Sequence, residues 1–382
     1  GMNRIVALDA YNGTVLWNLD VPALRRVNMP RDCGNWCATT DNVLCVVRNQ
    51  LWQIEPQLGT VLQNIQLPEA ADRKTHDWGY VAYDKGLIYG SSVKTGGAYS
   101  EYWTNARWYD SQSTASTAMV CSDSLFALKA QYSKPVWTYR GGAIVNPTVT
   151  IAHGRVYFAE GRHDEATAAK SGRVSCESLW KDLFLVALDA ASGRRVWERK
   201  LDDIECAKVV FFGLADPKGV ILVTSSNNQY HINRFNPEDG ERLWRAAHRW
   251  PSDNHSGHMQ HPVIIGESMY LEPTGYNLAD GKVIAKKIGG REGCHTYLGA
   301  ANALIYRGRD RRASMWSLDG GAITSWPGLR PSCWLSMVPA GGMLLVPESG
   351  GGCSCGRWLE TSIGFAPWEV GLEDGEKTGD KQ

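Results

Sequence analysis

Residues 5–17 read Ile5-Val6-Ala7-Leu8-Asp9-Ala10-Tyr11-Asn12-Gly13-Thr14-Val15-Leu16-Trp17. A near copy, LVALDAASGRRVW, occupies residues 185–197, and weaker copies end at Trp137, Trp244 and Trp326. Two further copies, at residues 51–63 and 270–285, keep the turn glycine but lack the tryptophan. Seven copies of one pattern indicate a repeat architecture, so the fold is read from the repeat.

Each copy predicts two strands joined by a tight turn. Short aliphatic residues run up to Asp-Ala-x-x-Gly, a pattern typical of a strand that ends in a turn and not of a helix. The glycine, as at Gly13 or Gly193, suits a positive φ, and a nearby aspartate can bond the turn backbone. The tryptophan that follows is large enough to cover the seam with a neighbouring sheet.

The spacing of the copies predicts a β-propeller. Their last residues lie 41 to 74 positions apart, and a four-stranded blade takes roughly 40–50 residues. Two further strand candidates precede each motif, for example around Val149–Ala152 and Arg155–Phe158, which gives four strands per unit. Two long intervals contain polar insertions, residues 91–117 and 161–181, which we interpret as surface loops within blades.

The chain enters directly at a motif, so the ends predict how the ring closes. Residues 334–339 and 343–347 resemble the first two strands of a blade and would pair with the N-terminal motif, which removes exposed sheet edges. This count gives an all-β, seven-bladed propeller; a strand within residues 358–366 would make it eight-bladed. An open solenoid is the structural alternative. We expect one domain over residues 1–367 and a polar, flexible tail over 368–382.

Composition excludes some classes of function. Lys plus Arg and Asp plus Glu both number 40, so no global charge favours nucleic acid or an anionic membrane. No apolar run reaches 18 residues, which predicts no transmembrane segment. Gly1-Met2 resembles an expression remnant, and we expect an exported, periplasmic or envelope protein whose signal peptide precedes this sequence.

The ten cysteines leave three interpretations open. Cys294, Cys333, Cys353 and Cys355 could form disulfides in an oxidising compartment, remain buried thiols, or bind a metal. Cys353-Ser354-Cys355 lacks the usual zinc spacing, and sequence alone does not give connectivity.

Ala-Leu-Asp-Ala-x-x-Gly-x-x-x-Trp, at residues 7–17 and 187–197, resembles the repeat of the pyrroloquinoline-quinone (PQQ) type β-propellers. That family includes quinoprotein dehydrogenases and a scaffold lipoprotein of outer-membrane assembly. The dehydrogenases it resembles hold the quinone beneath an adjacent-cysteine disulfide, beside a calcium ion. No adjacent cysteine pair occurs here, and no calcium or base residue matches by motif. The closing segment, residues 331–355, is similar to PQQ-like propellers of planctomycete-type bacteria, which implies an exported protein without an assigned activity.

Loops that lead into the first strand of each unit are the expected ligand site, because in propellers they open around the central channel. The side chains that we predict to contact a ligand there are Asn35, Trp36, His76, Trp78, Lys208, Arg291 and Trp334. The tryptophans have a competing role in packing between blades.

Three histidines at a spacing of three, His255, His258 and His261, precede one of these strands. Imidazole suits transition metals, so a metal site completed by His295 is one hypothesis. The alternative is a polar loop, since His258 and His261 would point to opposite faces of an extended strand. Adjacent pairs such as His76-Asp77 diverge along a strand and cannot form a nucleophile with its base.

The leading hypothesis is a non-catalytic, exported binding or scaffold module, a monomer that holds a protein or small molecule with these loops and the two insertions. The alternative is an oxidoreductase-like or metal-binding propeller with its site at residues 255–261. We expect no PQQ, while a transition metal belongs to the alternative.

Overall fold

The computed structural model describes residues 4–22, 34–68, 73–98, 118–129, 134–174, 177–204, 209–251, 260–293, 295–331, 337–346 and 363–365. Within these ranges the chain is almost wholly β, and its one α-helix, α1, spans Asp164–Thr167. No helix of the described part is long and apolar enough to cross a bilayer. The chain divides into two compact units, residues 1–7 with 15–288 and residues 8–14 with 289–382, which we describe separately.

The first unit contains a series of antiparallel sheets. Sheet I is β1 (Arg4–Leu8) and β2 (Val15–Asp20), and sheet II is β3 (Trp36–Ala38), β4 (Val43–Val47), β5 (Gln50–Ile54) and β6 (Val61–Gln66). Sheet III is β7 (His76–Asp84), β8 (Leu87–Lys94), β10 (Ser124–Lys129) and β11 (Pro135–Tyr139). Sheet IV is β9 (Met119–Ser122), β12 (Ala143–Val145), β13 (Thr150–Ala152), β14 (Arg155–Gly161), β15 (Arg173–Val174), β16 (Leu183–Asp189) and β17 (Arg195–Lys200). Sheet V is β18 (Val209–Asp216), β19 (Gly219–Ser226), β20 (Gln229–Phe235) and β21 (Arg242–Arg249). Sheet VI is β22 (Val263–Ile265), β23 (Ser268–Leu271), β24 (Thr274–Asn277) and β25 (Val283–Ala285). Short 3₁₀ turns lie at Asn146–Thr148 and Glu177–Trp180.

The second unit contains two sheets. Sheet VII is β26 (Leu298–Gly299), β27 (Ala303–Arg307), β28 (Ala313–Ser317) and β29 (Ile323–Ser325), with a 3₁₀ turn at Arg309–Arg311. Sheet VIII is β30 (Val338–Ala340), β31 (Met343–Val346) and β32 (Ile363–Phe365). The prediction of four antiparallel strands per repeat is therefore confirmed in sheets II, III, V, VI and VII.

The repeated motif forms the last two strands of a sheet and the turn between them. In sheet IV, β16 and β17 pair in antiparallel register, and the Gly193 amide donates to the Asp189 carbonyl at 2.8 Å. Gly193 has a φ of +69°, and Asp189 Oδ1 accepts the Ser192 amide at 2.9 Å. The turn chemistry predicted from Asp-Ala-x-x-Gly is confirmed.

The motif tryptophans cover the seams between successive sheets of the first unit. Each indole lies against the turn glycine of the following repeat and donates its Nε1–H to the carbonyl three residues before that glycine. The pairs are Trp17 with Gly59 and Pro56 O, Trp137 with Gly193 and Ala190 O, Trp197 with Gly240 and Pro237 O, and Trp244 with Gly281 and Leu278 O. The tryptophan of one repeat and the turn of the next therefore form a single contact, which connects successive sheets.

The predicted closure is not found in the described part of the chain. Residues 338–340 and 343–346 do pair as the two expected C-terminal strands. However, β31 then pairs with β32, with Leu344 opposite Phe365, and not with the N-terminal motif. Residues 363–365, the possible extra strand, occupy the free edge of β31 instead.

The second insertion differs from the surface loop we predicted, while most of the first is not tested. Residues 99–117 lie outside the described chain. Residues 161–181 contain α1, β15 and a 3₁₀ turn, and Ala166, Val174 and Leu179 within them are buried. Isolated apolar anchors, too sparse to show a periodicity, hold this insertion against sheet IV.

Candidate functional site

The two insertions are joined to each other by a strand pair. β15, within the second insertion, pairs with β9, which follows the first, so that Arg173 lies opposite Val120 and Val174 opposite Met119. The Cys121 amide also donates to the Gly172 carbonyl at 2.9 Å. We call residues 94–98, 118–122 and 162–182 together the joined insertions.

Two glycines allow this close approach. A Cβ atom on Gly97 would lie 2.8 Å from the Gly172 Cα, and one on Gly172 would lie 2.5 Å from Val93 Cγ2. The buried Asp77 carboxylate fixes the start of the first insertion, because its Oδ2 accepts the Gly96 amide at 2.8 Å. The two glycines, about 75 residues apart in the chain, therefore allow the backbones of the two insertions to come into contact.

The joined insertions lie at the edge where the chain enters the first strand of sheets III and IV, which we call the entry edge. In an antiparallel meander this edge also carries the connection between the second and third strands. A buried network ties it together: the Ser122 hydroxyl donates to Asn146 Oδ1 at 2.6 Å, and Asn146 Nδ2 donates to the Gly79 carbonyl at 2.9 Å. These two bonds connect sheet III to sheet IV at the entry edge.

His76, a predicted ligand contact, lies at this edge in a chain of polar contacts. Its Nδ1 is 2.8 Å from Thr75 Oγ1 and its Nε2 is 2.8 Å from Asp123 Oδ2. Lys94 Nζ also contacts the Asp123 carboxylate, at 2.8 Å. The partner of His76 is therefore a residue 47 positions away and not its neighbour Asp77, in agreement with the divergence expected along a strand.

The other predicted contacts of sheets II and III have distinct environments. Trp36 opens β3 and is 42% exposed, so its ring remains open to solvent, and the Asn35 carbonyl accepts the Val46 amide at 2.9 Å. The Trp78 indole is fully buried and meets the Phe126 ring edge-on, with ring centroids 5.1 Å apart. Packing, the alternative considered for the tryptophans, accounts for Trp78.

A second polar cluster, which we did not predict, lies where the second insertion leaves β14. The Glu160 side chain is fully buried and accepts from the Tyr139 hydroxyl at 2.8 Å and from the Gly142 amide at 3.0 Å. Arg162 donates to it at 2.7 Å, bonds Glu198 at 2.6 Å and lies 4.0 Å above the Phe184 ring. Burial and the Glu160 carboxylate raise the pKa of Tyr139, so its hydroxyl stays protonated and donates.

The sequence signal for this cluster was the pair Glu160 and Arg162, at the boundary between an apolar strand and a polar insertion. Their partners Tyr139 and Glu198 come from other strands and share no local pattern with them. Sequence spacing cannot reveal such long-range contacts.

The predicted metal ligands are not brought together within the described residues. His255 and His258 lie outside them, as do the predicted contacts Lys208 and Trp334. The His261 Nδ1–H donates to the Pro262 carbonyl at 2.7 Å, and burial lowers the pKa of His261. No group of three His, Cys, Asp or Glu side chains in the described part could hold a metal ion.

His295 and Arg291 lie together in the second unit. His295 is fully buried, and its pKa lies well below the usual value because of burial and because Arg307 and Arg291 are close. Two guanidinium groups beside an imidazole disfavour a metal cation electrostatically. The surroundings of His295 therefore do not fit the metal hypothesis.

Most of the predicted cysteine chemistry falls outside the described residues, including Cys294, Cys333, Cys353 and Cys355. Cys37 and Cys45, on neighbouring strands of sheet II, are free thiols. Burial raises the pKa of Cys45 to about 12, so this thiol is inert at neutral pH.

Comparison with known proteins relates the repeats to a family. Residues 183–292 match a family model described as outer membrane protein assembly factor BamB. No curated protein is similar enough in sequence to count as a match.

Three solved structures are similar to this chain. The quinohemoprotein alcohol dehydrogenase from Comamonas testosteroni is 12% identical, with a TM-score of 0.53, 90% of this chain covered and 67% of that chain. BamB from Moraxella catarrhalis is 18% identical over 85% of this chain and 79% of that chain, with a TM-score of 0.45. The computationally designed Ika8 protein is 8% identical over 87% and 95%, with a TM-score of 0.41. The dehydrogenase supports a shared fold only, since identity this low carries no activity. Together with the family-model match over residues 183–292, it supports PQQ-like repeats and a propeller fold for this chain.

Proposed function

We propose that this protein is a non-catalytic binding module that holds a protein partner on the joined insertions at the entry edge. The observation that carries the proposal is the pairing of β9 with β15, which makes one platform from two segments that interrupt the repeat. The residues of the repeat form the sheets. The insertions are not needed for that, and binding residues are commonly found on such loops.

The polar groups at this edge support binding over catalysis. His76 is bonded on both sides, by Thr75 and Asp123, and the Glu160 carboxylate accepts from three donors. Side chains that are hydrogen-bonded to one another keep fixed positions. A surface preorganised in this way loses little conformational entropy when a partner docks. The exposed Trp36 ring would extend the same contact surface.

The family-model description, an outer membrane protein assembly factor, supports a scaffold role in the cell envelope. We accordingly place the protein outside the cytoplasm, as a monomer, with Asn35, Trp36 and His76 among its contact residues. Lys208, Arg291 and Trp334 remain proposed contacts of the same kind.

Charge reversal on the joined insertions tests the proposal. Lys170 and Lys181 are exposed on the second insertion, and Lys218 is an exposed lysine on the β18–β19 turn of sheet V. Wild type, Lys170→Glu/Lys181→Glu and Lys218→Glu are each crosslinked in native envelope and the captured proteins are quantified.

We expect the amount of one specific crosslinked protein to fall about tenfold with the double variant and to stay unchanged with the Lys218 variant. Equal capture by all three proteins, with unchanged thermal unfolding, would contradict a docking role for the joined insertions. A stoichiometric visible-absorbing cofactor or metal in the purified protein would contradict a purely scaffolding role.

A further inference from the structure

A cavity lies at the opposite edge of sheets III and IV, where their first and second strands are joined. Its volume is about 360 Å³, at the small end for ligand pockets. The lining residues are Tyr80, Ala82, Tyr83, Asp84, Lys85, Ile151, Ala152 and His153. All belong to the first unit, and none belongs to the joined insertions.

Two tight turns form the rim. Lys85 and His153 occupy the same position in the turns after β7 and β13, each with a left-handed backbone (φ of +48° and +51°) and each followed by a glycine. Such turns match the twist of the flanking strands and are stiff. The rim is therefore formed before any ligand arrives.

The polar side chains of this cavity are not paired with the protein. Asp84, Lys85, His153 and the Tyr80 hydroxyl make no hydrogen bond or ion pair with any other side chain or backbone group of the described chain. By contrast, Asp216 and Arg234 of the same unit form a buried ion pair at 2.7 Å. Asp84 and Lys85 both line the cavity, so an acid and a base are available there to a ligand that carries both charges.

The wall supplies an apolar surface and one neutral donor. Ala82, Ile151 and Ala152, whose side chains are aliphatic, line the cavity between the two turns. Burial raises the pKa of Tyr80 well above its usual value, so its hydroxyl remains protonated and can donate. The site thus combines a mixed-charge rim with an apolar wall.

We propose that this cavity binds a free α-amino acid with an apolar side chain. The ligand carboxylate would meet Lys85 and His153, its ammonium would meet Asp84, and its side chain would lie on Ala82 and Ile151. Charge-assisted hydrogen bonds to both ionic groups would give the selectivity, because a ligand that lacks one group leaves a rim charge unpaired.

Isothermal titration of the full chain with L-phenylalanine tests the proposal. Two analogues distinguish binding of a free amino acid from binding of a peptide end. Phenylalanine amide lacks the carboxylate, like an N-terminal residue, and N-acetylphenylalanine lacks the ammonium, like a C-terminal residue. We expect L-phenylalanine to bind and each analogue to bind about tenfold or more weakly.

Three substitutions complete the experiment. Asp84→Asn and Lys85→Gln should each weaken L-phenylalanine binding about tenfold, whereas Lys218→Gln, on the corresponding turn of sheet V, should leave it unchanged. Thermal unfolding without ligand confirms that each variant is folded. Absence of binding to the wild type, equal binding of the analogues, or an equal effect of Lys218→Gln would overturn the proposal, and none of these results bears on the joined insertions.

Discussion

The Trp137 Nε1–H donates a 2.9 Å hydrogen bond to the carbonyl of Ala190, and the same indole covers Gly193 in the next repeat. Both halves of this contact belong to the repeated motif, one from each of two successive copies. The motif residues therefore serve two purposes: they form the hairpin turn, and they connect neighbouring sheets.

Gly193→Ala should be more destabilising than an ordinary glycine substitution. A Cβ at this position would lie 2.5 Å from the Trp137 ring, and the φ of +69° adds strain. We expect the free energy of unfolding to fall by about 3 kcal/mol, measured by urea denaturation. Gly154→Ala is the matched control, with a φ of +75° and nothing within 4 Å, and should cost only about 1 kcal/mol. Equal losses in the two variants would show that the indole contributes nothing to the effect.

Asp216→Asn should destabilise the first unit through an unpaired guanidinium. Arg234 is 3% exposed and bonds both carboxylate oxygens of Asp216, while its Nη1 donates to Leu278 O at 2.8 Å. We expect a loss of about 3–5 kcal/mol by urea denaturation. Asp280→Asn, at an exposed ion pair with Lys282, should leave the unfolding midpoint unchanged. A near-neutral Asp216→Asn would contradict the importance of the buried pair.

His248 should make stability fall in mild acid. Its Nε2–H donates to the Glu272 carbonyl at 3.0 Å, so Nδ1 accepts from the Tyr276 hydroxyl at 2.6 Å and the ring is neutral. Burial lowers the pKa of His248, so below the unfolded value of about 6.5 the unfolded chain binds more protons than the folded one. Stability is then complete above pH 6.5 and is lost as the pH falls toward the lower folded value.

The variant His248→Gln isolates this contribution. Urea midpoints at pH 7.5 and pH 5.5 should differ less in the variant than in wild type, by the uptake of about one proton on unfolding. An unchanged difference between the two midpoints would assign the acid sensitivity to other groups, such as His261 and His295, whose pKa values are also lowered by burial.

Gly172→Val should separate the joined insertions. Even a Cβ at this position would lie 2.5 Å from Val93 Cγ2 and 3.2 Å from the Gly97 Cα. We expect hydrogen exchange at Arg173 and Val174 to become about tenfold faster or more, while β16 and β17 stay protected. Gly290→Val is the control, because a Cβ there would meet nothing within 4 Å and the backbone is not left-handed. Unchanged protection of β15 would show that the pairing does not depend on this contact.

The sequence predicted the repeating unit well because its signals are local. Strand alternation, the Asp-x-x-x-Gly turn at Asp189 to Gly193 and the seam-covering role of Trp197 all follow from residues within one copy and the next. Contacts with no fixed spacing were missed. Asp123 beside His76 and Tyr139 beside Glu160 come from separate strands, and a histidine or a glutamate gives no local sign of its distant partner.

By itself, then, the amino-acid order determined the all-β repeat, its turns and the tryptophan joints, since backbone preference and side-chain size act between near neighbours. Only the tertiary structure decided that β31 pairs with β32, that Trp78 is buried, and that the two insertions meet through β9 and β15. The physical reason is that every strand edge presents the same backbone N–H and C=O groups, so these groups alone do not select a partner strand. Which edge meets which is selected by packing across the fold, at places such as Gly97 and Gly172 where two backbones can approach.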